Sequence, residues 1–77
     1  MEIELDEEMK IFLKNIYILR TKYNKNKKEM AKILGISIYK LNKLENGILP
    51  KSLTCDIFFR IYENFNIRPS MQFKEIL

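Results

Sequence analysis

The 77-residue chain has no histidine, one cysteine (Cys55) and only two glycines, Gly35 and Gly47. Each shortage closes a class of function. A single cysteine cannot form a disulfide within the chain, and without imidazoles a conventional zinc site has almost nothing to coordinate it. Ser-His and Cys-His nucleophile pairs are absent, and two glycines do not make a phosphate-cradling loop. Acids cluster only near the N-terminus, so no paired carboxylates suit acid–base chemistry. No enzymatic activity, metal or cofactor is therefore expected. No apolar run approaches the roughly 18 to 20 residues of a membrane span. The opening Glu2, Glu4, Asp6, Glu7 and Glu8 is the opposite of a signal peptide's basic start, so a cytoplasmic home with no membrane contact is expected.

What is present fits one small helical domain over residues 1–77. Apolar residues make up 47%, enough for an all-helical core near the lower size at which one holds without staples. Charge is divided by region. Residues 1–8 form an acidic segment, and residues 1–9 carry −5. Residues 10–53 carry +9, with eleven lysines and arginines against Glu29 and Glu45, and residues 54–77 are neutral. A basic middle segment is the arrangement expected of a phosphate-binding surface.

The pattern predicts five helices and no strand. Helix 1 is expected from near Asp6 to about Tyr23, with Met9, Phe12, Leu13, Ile16, Leu19 and Tyr23 facing inward. Asn24, Lys25 and Asn26 break it, and Asn26 with Glu29 forms a capping-box pattern opening helix 2, whose Met30, Ala31 and Leu34 turn inward. Helix 4 is expected from Thr54 or Ser52, burying Ile57, Phe58, Ile61 and Phe65 and closed by Asn66. Pro69 suits the first position of a fifth helix that packs Phe73 and Ile76.

Between these lies the densest signal, residues 28–47. Ala31 allows a close helix crossing, and Gly35 can take the positive φ that ends a helix. Ile36 plugs the turn, Ser37 caps the next helix, and Leu41 and Leu44 mark its inner face. Ile38, Tyr39, Asn42, Lys43 and Asn46 are left on the outer face. Two short helices joined by so tight a turn form a helix-turn-helix over residues 27–46.

In these residues the chain resembles the lambda-repressor-like or Cro-like helix-turn-helix superfamily, in its xenobiotic response element branch. Members carry Ala, Gly four positions on, an aliphatic residue, Ser or Thr, spaced aliphatic positions and Glu-X-Gly. This chain has Ala31, Gly35, Ile36, Ser37, Leu41, Leu44 and Glu45-Asn46-Gly47. Leu19-Arg20 matches the first helix of that family. The segment 49–53 with 57–62 looks like the fourth helix of small regulators from low-GC Gram-positive bacteria, and the likeness covers about residues 9–77.

The resemblance implies a compact five-helix all-α domain that lays helix 3 in the major groove of double-stranded DNA. Asn42 is then the foremost base reader, its amide matching the N6 and N7 edge of adenine, while Lys43 suits guanine or a phosphate. Tyr39 and Ile38 face thymine methyl groups, in place of the polar residues of many relatives, and Ser37 opens the same surface. Lys27 and Lys28 at the start of helix 2, with Asn46 and Lys51 flanking helix 3, are expected phosphate contacts. Lys27 stands where relatives often have Gln. It keeps the phosphate role, and the expectation is that it loses the amide that bridges to a base or to the recognition helix. The resemblance also pairs Arg20 with Glu45 in a structural salt bridge. One domain reads one half-site, so a repressor acting as a homodimer on a palindrome is expected. The alternative is a protein-binding module such as an antitoxin or adaptor, with Ile3 to Asp6 and the Met71 to Leu77 tail as its contacts.

Overall fold

The computed structural model describes residues 7–50 and 53–76. The expected helix start at Asp6 lies outside them, as do Lys51 and Ser52. Among the described residues there are four α-helices and no strand: α1 Glu7–Lys22, α2 Lys27–Leu34, α3 Ile38–Glu45 and α4 Asp56–Phe65.

The boundaries follow from local chemistry. Acids in the first turn of α1 and bases in its last complement the helix dipole. Beyond α1 the chain turns through Asn24 at φ 54°, a left-handed conformation that Asn tolerates better than most residues. The capping box of α2 is complete: the Glu29 amide donates to the Asn26 side chain at 2.8 Å, and the Asn26 amide to the Glu29 carboxylate at 3.0 Å. Gly35 at φ 70° ends α2, and the Ile36 amide closes back on the Ala31 carbonyl at 3.0 Å. Ser37 then caps α3 by accepting the Lys40 amide at 3.1 Å.

The core is one cluster drawn from all four helices. It joins Phe12, Leu13, Ile16 and Leu19 of α1, Met30, Ala31 and Leu34 of α2, Leu41 and Leu44 of α3, and Ile57, Ile61 and Phe65 of α4. Phe58 and Phe73 add a partly buried aromatic group around Phe12, with ring centroids 5.0 to 5.5 Å apart.

Three expectations are corrected. Tyr23 does not face the core; it is 45% exposed, and its ring rests against Phe65 from outside. Helix 4 begins at Asp56 rather than at Thr54, because Thr54 and Cys55 form an entry turn whose carbonyls accept the Ile57 and Phe58 amides at three-residue spacing. The fifth helix is a single 3-10 turn, Pro69–Met71. Its continuation is diverted by Asn15, a buried residue of α1 whose Nδ2 donates to the carbonyls of Gln72 at 2.9 Å and Lys74 at 2.7 Å. Gln72 is drawn inward as well, donating through Nε2 to the carbonyls of Phe58 and Ile67. Its Oε1 is buried with no hydrogen-bond partner among the described residues. Side-chain amides thus replace helical hydrogen bonds as the fastening of the C-terminal segment.

Candidate nucleic-acid interface

Two helices position the site. α2 and α3 are joined by the three residues Gly35, Ile36 and Ser37, and Leu41 and Leu44 seat α3 on the core with no exposure. Burying that face fixes the opposite one outward. Ile38 and Asn46 are exposed there, and Tyr39 is 68% exposed, the most open large apolar side chain described. Asn42 and Lys43 are only partly accessible, because neighbours cover them.

The cover on Asn42 is Lys27. Its Nζ donates to Asn42 Oδ1 at 2.6 Å, tying the first residue of α2 to the middle of α3. The amide expected to be lost at this position is absent, yet α3 keeps a partner there, because the ammonium is long enough to reach it. Lys43 is held differently, with its Nζ 4.8 Å from the centre of the Tyr39 ring one helical turn earlier. Lys28 stands exposed in the first turn of α2, where free backbone amides already favour an anion. The Ser37 hydroxyl is engaged as the cap of α3. Lys51 lies outside the described residues.

Beneath this surface Arg20 and Glu45 join α1 to the last turn of α3. Arg20 Nε donates to Glu45 Oε2 at 2.7 Å and its Nη2 to Oε1 at 2.9 Å, a two-pronged geometry. The side chains are 16% and 8% exposed. The Glu45 hydrogen bond pushes the Arg20 pKa up, against the opposing effect of burial, so the guanidinium keeps its charge. A weaker third contact runs from Nη1 to the Lys25 carbonyl at 3.4 Å.

One cation at the turn escaped sequence reasoning. A Cβ built on Gly35 falls 2.8 Å from Arg60 Cζ and Nε, so the guanidinium of α4 lies over the turn between α2 and α3. Arg60 sits in the stretch whose charges balance to zero, and nothing in its sequence neighbourhood points to the turn. The signal for the Lys27 bridge was present in part, since a long donor at the start of α2 and an amide on the outer face of α3 were both identified.

A second short helix seated on its predecessor through a three-residue turn, its outer face mixing Ile38 and Tyr39 with Asn42, Lys43 and Asn46, defines a helix-turn-helix domain. The chain belongs to that family: a model described as a helix-turn-helix domain matches residues 13–75, from α1 to the C-terminal turn. Comparisons with curated proteins and with solved structures return no match. Among the described residues no helix is long and apolar enough to cross a membrane, and no group of histidine, cysteine and carboxylate side chains is placed to hold a metal ion.

Proposed function

We propose that this protein is a sequence-specific DNA-binding transcriptional regulator of the xenobiotic response element branch, a repressor that inserts α3 into the major groove and binds a palindrome as a homodimer. The observation that carries the reading is the outer face of α3. Packing accounts for Leu41 and Leu44, while Ile38, Tyr39, Asn42, Lys43 and Asn46 take no part in the buried core. In the reading, Asn42 and Lys43 address base edges, Tyr39 and Ile38 press on thymine methyl groups, and Lys28, Asn46 and Lys51 take phosphates. Ser37 holds the start of the helix that carries them.

Support for DNA over a protein partner comes from both the charge and the tail. The +9 segment contains the whole helix-turn-helix, and Arg60 adds a further cation at its turn. The tail offered for a protein contact is partly committed to the fold, with Gln72 buried and Phe73 stacked on Phe12. Binding of the protein to a mixed-sequence duplex at 50 and 200 mM salt tests the reading. With about six phosphates neutralised, affinity is expected to fall on the order of a thousandfold between the two. Absence of binding at the lower salt, together with co-purification of a neighbouring gene product, would shift the assignment to the adaptor or antitoxin class.

A further inference from the structure

We infer that Lys27 sets which base Asn42 reads: the Lys27–Asn42 pair selects guanine, where a free asparagine suits adenine. The inference rests on the DNA-binding reading above. Its basis is the 2.6 Å contact between Lys27 Nζ and Asn42 Oδ1. An ammonium has donors and no lone pair, so the side of the carboxamide that faces it is the oxygen. The two ends of an amide are often ambiguous, but this partner fixes them. Nδ2 is consequently turned away from Lys27, and it makes no hydrogen bond to any described residue.

Reading adenine with both prongs requires Oδ1 to accept from the N6 amino group while Nδ2 donates to N7. Here Oδ1 already accepts from Lys27, and an amino group approaching its second lone pair would bring its positive hydrogens beside a full positive charge. Guanine meets the opposite situation. Its O6 and N7 are adjacent acceptors, and the pair offers the Nδ2 hydrogens together with the remaining ammonium hydrogens of Lys27. The Lys43 ammonium lies over the Tyr39 ring, so it does not compete for the same oxygen. Lys27 is thus a positioning residue for base choice as well as a charge near the backbone.

Selection of bound duplexes from a random-sequence pool tests this with the full chain and the variants Lys27→Met, Lys27→Gln and Asn42→Ala, with a thermal melt of each. The diagnostic position is the one whose preference Asn42→Ala erases. The unaltered protein is expected to select guanine there. Both Lys27 variants are neutral, and at this exposed site they are expected to keep the fold. They should change that position from guanine to adenine, by about tenfold or more in the ratio, with the other positions unmoved. A uniform loss of affinity with guanine retained overturns the inference and leaves Lys27 a phosphate anchor, as does selection of adenine by the unaltered protein. If the unaltered protein binds no duplex, the DNA-binding reading itself falls and takes the inference with it.

Discussion

Arg20 and Glu45 are charges that the fold removes largely from water, and their worth is best judged by what is left when one is cut away. Arg20→Ala leaves a carboxylate that is 8% exposed without its guanidinium, which should cost about 3 kcal/mol. Lys22→Ala, two residues on and exposed, should cost less than about 0.5 kcal/mol. A thermal melt separates them by more than about 10 °C for a domain of this size, whereas equal midpoints would falsify the stabilising bridge. Because the Arg20 pKa is raised on folding, its contribution is complete below the ordinary arginine value and is lost only as pH climbs through the raised one. Alkaline titration short of that range should leave the difference between the two variants unchanged. Asn15 carries a similar burden with no charge. Asn15→Ala orphans the Gln72 and Lys74 carbonyls and should cost about 2 kcal/mol, with faster hydrogen exchange confined first to residues beyond Pro69. Exchange that rises evenly along the chain would mean that Asn15 stabilises the core as a whole. The residue pattern did hold a clue to Asn15, since it lies on the same helical face as Phe12, Ile16 and Leu19. A polar residue on an apolar stripe marks a specific partner, but the partner is more than fifty positions away, and spacing within one helix does not reach it.

At the level of elements, the left-handed residues separate one helix from the next. Asn24, Gly35, Gly47 and Asn66 have φ of 54°, 70°, 78° and 56°, and each follows a helix. The cost of a Cβ in this conformation, about 1–2 kcal/mol, should appear in Gly35→Ala. The Arg60 guanidinium above it is the exposed end of a flexible side chain and can swing aside, so the backbone sets the loss. Gly35→Asn should therefore recover part of that stability in a urea titration, because Asn already serves at two of the four positions. If Asn proves as costly as Ala, the clash with Arg60 is the dominant effect, and Arg60→Ala should then relieve it. Such stops were legible because Gly and Asn announce them locally, and α2 and α3 accordingly lie where the capping pattern places them. The C-terminal turn was not legible in the same way. Pro69 correctly marks a helical start, yet what limits the helix to three residues is a hydrogen-bond claim made by α1. The start of α4 was displaced for a smaller reason: the hydroxyl of Thr54 has the chemistry of a cap, but its backbone belongs to the entry turn.

For the whole molecule the deciding quantities are charge and size. The Cα envelope measures 34 × 24 × 20 Å, and among the described residues α3 is the one helix that the proposed function places on DNA. One such helix addresses only about four to six base pairs, too few to single out an operator, so the proposed function needs a second copy. Half-sites related by a twofold axis and one turn of B-DNA apart place their centres roughly 34–36 Å from each other. With side chains added to that envelope, two copies whose long axes run along the duplex lie within reach of direct contact at this spacing, and in that arrangement they couple without a linker. Binding to a palindrome with that spacing should thus be cooperative. The affinity for the paired site should exceed that expected from two independent half-sites by about tenfold or more, equivalent to roughly 1.4 kcal/mol of contact between the copies. Insertion of about five base pairs between the half-sites rotates one copy to the opposite face of the duplex and carries it beyond reach. The cooperative gain should vanish while each half-site keeps its own affinity and salt dependence. Titration of the two duplexes, with the stoichiometry read by sedimentation, distinguishes the cases: cooperativity that survives the insertion would point to a dimer already formed in solution, and a single copy on the intact palindrome would remove the homodimer from the proposal.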